Sequence, residues 1–154
     1  MSPERRLQEL HLILPPAAKP VGVYKPAVLI GNVLYLSGHG PLKPDGSLIL
    51  GRVGTELSLE EGKAAARQVG LSILSTIRST LGTLDRAKRL IKTLGLVQCT
   101  PEFKDQPKVI NGFSELMADL FGAEAGVGAR SAVGATSLPG SMAVEIECIW
   151  EVQV

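Results

Sequence analysis

The sequence predicts an α+β domain, a single β-sheet with two helices packed on one of its faces. Three observations carry that prediction. Apolar residues recur with helical spacing over Ser58 to Leu81 and again over Pro107 to Phe121. Short β-rich runs flank those stretches, and the last segment, Met142 to Val152, alternates strictly between two faces. Taken in order, the elements read β-β-β-α-β-α-β-β, which places helices against a sheet in two layers. With 154 residues, 45% of them hydrophobic, the chain is long enough to bury an ordinary core as one domain, 1–154. Within it, 1–20 reads as a helix and proline-rich arm and 20–152 as the core.

Ser2 followed by Pro3 resembles a helix start, with Leu7, Leu10 and His11 along one side of a short helix that stops by Pro15-Pro16. Four prolines between Pro15 and Pro26 predict an extended arm lying on the domain. Ala27 to Ile30 and Val33 to Ser37, joined by Gly31-Asn32, form a hairpin signal. Lys43-Pro44-Asp45-Gly46 is a second turn, and Ser47 to Leu50 reads as a third strand.

Ser58 three residues ahead of Glu61 is a capping box, opening a helix whose inner stripe is Ala65, Val69, Ile73 and Ile77 and which Gly82 ends. Lys88 to Gln98 reads as a strand, although its first half also suits a helix. Pro107 to Phe121 is the second long helix, with Gly122 at its end. A glycine-rich loop leads to Arg130 to Ala135. In the closing strand Val144, Ile146, Cys148 and Trp150 share one face, while Glu145, Glu147, Ile149 and Glu151 share the other.

Composition excludes several classes of function. Sixteen Lys+Arg against 15 Asp+Glu give a formal net charge of +1, too balanced for a nucleic-acid surface covering much of the molecule. No stretch reaches the roughly 18 apolar residues of a membrane span, and the mixed amino terminus does not read as a signal peptide, so a cytoplasmic address is expected. Cys99 and Cys148 form no C-x-x-C pair and read as small buried residues rather than as a disulfide or zinc framework. With His11 and His39 as the only histidines, no metal centre is expected. Gly38-His39-Gly40 and Gly126-Val127-Gly128 each lack the third glycine of a dinucleotide fingerprint.

Two stretches are polar where a small apolar domain has little reason to be. Leu36-Ser37-Gly38-His39-Gly40 ends a strand in a hydroxyl and glycines that let main-chain N–H groups approach a ligand. Gly128-Ala129-Arg130-Ser131 brings an arginine into a strand from a glycine-rich loop. Each also reads as an ordinary strand end. Of Glu145 and Glu147, either one is half-buried as a structural ion pair with an arginine, or one serves as a base.

Gly22-Val23-Tyr24, Tyr35-Leu36-Ser37-Gly38, Asn111, Ala129 to Val133, Leu138-Pro139 and Val144-Glu145-Ile146-Glu147 stand in the order and spacing of the RidA/YjgF family, which the chain resembles from about Pro20 to Val152. The resemblance implies a chorismate-mutase-like fold, homotrimers with ligand clefts between subunits, and cofactor-independent hydrolysis of reactive 2-enamine or 2-imino acids to 2-oxo acids and ammonia. By the same resemblance Arg130 binds the substrate carboxylate, Tyr24 and Ser37 line the cleft with Gly38 and His39, Asn111 is the helix asparagine, and Glu147 stands near the attacking water. Ala132 takes the place of a frequent cysteine and offers its N–H. His39 replaces a usual glutamine and Gly134 a frequent glutamate, and the amino-terminal extension is similar to that of a divergent subgroup. A guanidinium suits the proposed ligand because it offers a carboxylate two parallel charge-assisted donors. The partners expected are therefore a small 2-imino or 2-oxo acid and two further copies of the chain. Alternatives are a non-catalytic binder of small carboxylates and an endoribonuclease, toward which only the charge run from Asp85 to Lys92 leans.

Overall fold

The computed structural model describes residues 2–154. Ser2 caps helix α1 (Pro3–Glu9), its hydroxyl accepting the Arg5 N–H at 3.2 Å. The arm that follows is pinned where the Ser75 hydroxyl donates to the Pro15 carbonyl at 2.7 Å. Strands β1 (Ala27–Ile30) and β2 (Val33–His39) form the predicted hairpin.

The expected third strand is absent. Residues 47–50 make only isolated bridges, Leu42 to Leu48 and Leu50 to Met142. The Lys43–Gly46 turn folds this segment on itself through Lys43 N–H to Ser47 O at 2.8 Å. Gly51, at φ 125°, then takes the chain away before a ladder forms.

Helix α2 (Leu59–Leu81) starts at a complete capping box, Ser58 with Glu61, and ends at Gly82 in the left-handed region, φ 85°. A short 3-10 turn, Leu84–Arg86, precedes β3 (Ala87–Gln98), so the ambiguous segment is strand nearly throughout. Helix α3 spans Gln106–Ala125, but Gly122 has non-helical dihedrals (φ 84°, ψ 167°), so the continuous helix stops at Phe121. Strands β4 (Ala129–Ala135) and β5 (Val144–Val152) complete a five-stranded sheet in the order β1-β2-β5-β3-β4. Only β3 and β4, linked through α3, run parallel.

Both long helices cover one face. Their inner stripes, including Ala65, Val69, Ile73 and Ile77 of α2 and Val109, Phe113 and Leu116 of α3, are fully buried. They pack on Leu34 and Leu36 of β2, Val97 of β3, and Ile146, Cys148 and Trp150 of β5. Two glycines set the spacing. A β-carbon on Gly112 would overlap the Lys63 carbonyl where α3 crosses α2, and one on Gly95 would sit 2.6 Å from the Ile110 Cδ1 beneath β3. The opposite face is open. Tyr35 and Val133 are each close to half exposed there, beside partly buried Leu94, Leu96 and Ile149.

Candidate functional site

Arg130 is the second residue of β4, the sheet's edge strand, and its side chain lies on the helix-bearing side. Nη1 donates to Asn111 Oδ1 at 2.8 Å and Ser114 Oγ at 3.1 Å, while Nη2 reaches the Pro107 carbonyl at 3.4 Å. Asn111 and Ser114 are three residues apart on α3 and so share the helix face that meets the guanidinium. Among the described residues no carboxylate pairs with Arg130. Its Nε–H and one Nη2–H stay uncommitted, the donor geometry a carboxylate takes bidentately. A pocket of about 240 Å³ opens beside it, between Asn111, Ser114, Thr93 and Gly128. Ala132, partly buried, is the next residue of β4 on the same face.

A second group gathers where β2 ends. The Ser37 hydroxyl donates to the Lys25 carbonyl at 2.5 Å, and the Ser37 N–H bonds the Pro26 carbonyl at 2.9 Å. These bonds tie the exposed Tyr24 segment to the strand end. Glu145 of β5 lies against Gly38 so tightly that a β-carbon there would overlap its carboxylate Oε1. Burial, and secondarily the charge of Glu147, push the Glu145 carboxyl above the usual carboxylate range.

Two of the residues expected at the site stand apart from these groups. His39 is buried and faces α2, not a cleft: Nδ1 lies 2.6 Å from the Ser37 carbonyl and Nε2 2.8 Å from Thr76 Oγ1. A bulge in the β2–β5 pairing between Leu36 and His39 turns the imidazole inward. Glu147 is exposed and lines a groove of about 380 Å³ on the open face with Tyr35, Lys92, Leu94 and Ser131. Glu145 is the carboxylate that meets the Ser37-Gly38 turn. Sequence alternation puts both glutamates on one face and does not choose between them. Ser114 was missed as well, although its i, i+3 spacing from Asn111 is readable in the sequence.

The two groups do not meet within one protomer. Arg130 pairs with Thr93 on β3, whereas Glu145 pairs with Leu96 on the other side of the same strand, and their side chains project from opposite faces. With neighbouring strands about 4.8 Å apart, the two lie on the order of 10 Å from each other before the thickness of the sheet is added. No small acid bridges that gap inside one chain.

Comparison with known proteins adds the family. A family model described as YjgF/chorismate mutase-like, putative endoribonuclease, matches residues 4–148. Protein TCP17 of Trypanosoma cruzi is 41% identical over 145 residues, covering 94% of this chain and 91% of its own. A crystal structure from Shewanella oneidensis, described as a putative endoribonuclease, superposes with a TM-score of 0.93 at 28% identity, covering 99% of this chain and 100% of its own. RidA from an Antarctic Psychrobacter superposes at 0.61 and 28% identity over 90% of this chain and 94% of its own. The Shewanella structure covers 99% of this chain, against 90% for the Psychrobacter RidA. The chain belongs to the YjgF/chorismate-mutase-like family, with RidA proteins among its structural relatives.

Proposed function

We propose that this protein hydrolyses 2-imino acids to 2-oxo acids and ammonia at a site shared between two protomers of a homotrimer. The observation that carries the reading is Arg130: a half-buried guanidinium held by Asn111, Ser114 and Pro107, with a free bidentate edge and no carboxylate partner among the described residues. The substrate carboxylate takes that edge, worth about 1.5–3 kcal/mol per charge-assisted bond. The neighbouring protomer supplies Tyr24, Ser37, Gly38 and Glu145. The open face of the sheet, with Tyr35, Val133 and Ile30 exposed, gives the copies an apolar surface to share.

In this reading Glu145 takes the role that the family resemblance implies for Glu147. Its raised pKa suits a group that accepts a proton from water as oxygen attacks the C=N carbon and returns it to nitrogen as ammonia leaves. Ser37, whose own proton goes to Lys25, accepts a hydrogen bond from the substrate nitrogen or from the water. Clamping the carboxylate fixes the carbon relative to that water, and such positioning removes several kcal/mol of barrier.

The experiment generates 2-iminobutanoate in situ and follows its loss with and without the protein. Accelerated hydrolysis is expected. Binding of 2-oxobutanoate without acceleration of any imine would establish a carboxylate-binding protein instead. Of the charge run that leans toward the ribonuclease reading, Arg89 pairs with Glu151 at 3.5 Å, whereas Lys88 and Lys92 donate to the Asp85 carbonyl and the Ser131 hydroxyl, neutral groups that leave their charge uncompensated.

A further inference from the structure

At the far end of β4 from Arg130, a separate cavity of about 280 Å³ opens between Arg52, Cys99, Phe103, Lys104, Gln106 and Gly134. Its floor is held open by the absence of a side chain. A β-carbon at Gly134 would sit 2.9 Å from the Cys99 sulfur and 3.0 Å from Gln106 Nε2. Arg52 reaches in from the loop before α2 and spends one nitrogen on the wall, Nη1 donating to the Thr136 carbonyl at 2.6 Å and the Cys99 carbonyl at 3.2 Å. Its Nε and Nη2 have no partner among the described residues, although the side chain is only partly exposed. Lys104 stands at the rim, with a single long contact of 3.5 Å to the Pro101 carbonyl.

The nearby acids do not neutralise this pair. The Glu56 carboxylate accepts the main-chain N–H of Arg52 at 3.1 Å and pairs with neither cation, Asp105 pairs with Lys108 at 3.4 Å, and Glu102 is exposed. Two uncompensated cations at one small cavity, one of them a guanidinium whose remaining donors are unspent, make a receptor for an oxyanion. Phe103 and the Cys99 thiol add an apolar side for a short tail. We propose that this cavity is a second anion site, distinct from the Arg130 pocket, that takes the carboxylate or phosphoryl group of a small molecule on Arg52 and Lys104.

The test titrates the isotope-labelled full-length protein with inorganic phosphate and, separately, with 2-oxobutanoate, following the backbone amides of Gln106, Gly134 and Thr136. Saturable shifts are expected at these amides, retained in Arg130→Ala, at least tenfold weaker in Arg52→Gln and about two- to fivefold weaker in Lys104→Gln. Tighter binding of phosphate identifies a phosphoryl ligand; tighter binding of 2-oxobutanoate identifies a carboxylate. No saturable shift with either probe, unchanged affinity in Arg52→Gln, or loss of the shifts in Arg130→Ala would overturn the proposal. Should Arg52→Gln fail to fold, the exposed Lys104→Gln variant decides, and unchanged affinity there overturns it.

Discussion

Glu145 and Gly38 face each other across the β2–β5 pairing with no room for a β-carbon between them. The clash that Gly38→Ala introduces falls on the end of the glutamate side chain, not on backbone. The variant is therefore expected to fold with a stability change of about 1 kcal/mol or less, because the carboxylate swings aside. Imine turnover is expected to drop at least tenfold, since a general base displaced by an ångström no longer reaches its water. Thermal unfolding and initial rates on the same samples check both halves.

Glu145→Gln is expected to lower turnover by about 10²–10⁴-fold, the usual contribution of a general base, and Glu147→Gln to leave it within a fewfold. In the parent, the acid limb of the rate profile falls above the ordinary carboxylate range because Glu145 is raised by burial. Stability moves the other way. A carboxyl whose folded pKa is raised is at no disadvantage below its unfolded pKa and costs stability as pH rises through the folded value. Glu145→Gln is thus expected to be more stable than the parent at pH 7 and equal to it near pH 3.5, measured by urea midpoints at both.

Burial lowers the His39 pKa in the fold, against the opposing hydrogen bond to the Ser37 carbonyl. A lowered folded pKa means stability that is complete above the unfolded value of about 6.5 and is lost as pH falls from there toward the folded one. The parent is expected to lose stability relative to His39→Gln as pH falls below about 6.5, read from urea midpoints of the two proteins over that range. Turnover at pH 7.5 is expected to stay within about twofold, because the ring faces Thr76 and not the site.

Arg130→Lys keeps the charge and discards the fork. Losing one charge-assisted bond of about 1.5–3 kcal/mol predicts a ten- to hundredfold fall in kcat/KM. Ser114→Ala removes one of three anchors and is expected to cost less, mostly in KM, since Asn111 still holds Nη1 at 2.8 Å. Steady-state kinetics on both variants distinguishes clamp from anchor.

Much of this architecture is legible in the chain because its signals are local. The Ser58–Glu61 box, the stripe through Ala65 and Ile77, the break at Gly122 and the alternation of β5 each follow from spacing over a few residues. Ser47 to Leu50 misled for a complementary reason: a β-rich run beside a turn pairs only if the chain around it permits a ladder, and Gly51 does not. Arg130, Asn111, Ser37 and Tyr24 could be singled out as polar residues at strand ends and by resemblance. Their division into two groups on opposite sides of the sheet could not, because it depends on which strand lies at the edge. The choice between Glu145 and Glu147 also depends on a long-range contact, the approach of β5 to Gly38.

If one protomer supplies Arg130 and its neighbour Glu145, two dead variants repair each other. Arg130→Ala and Glu145→Gln, each inactive alone, should regain activity when unfolded and refolded together in equal amounts. Random assortment into trimers leaves about one site in four with both native residues, so recovery of about a quarter of parental imine turnover is predicted. No recovery from mixed trimers that have formed, as shown by mass, would contradict a site shared between chains.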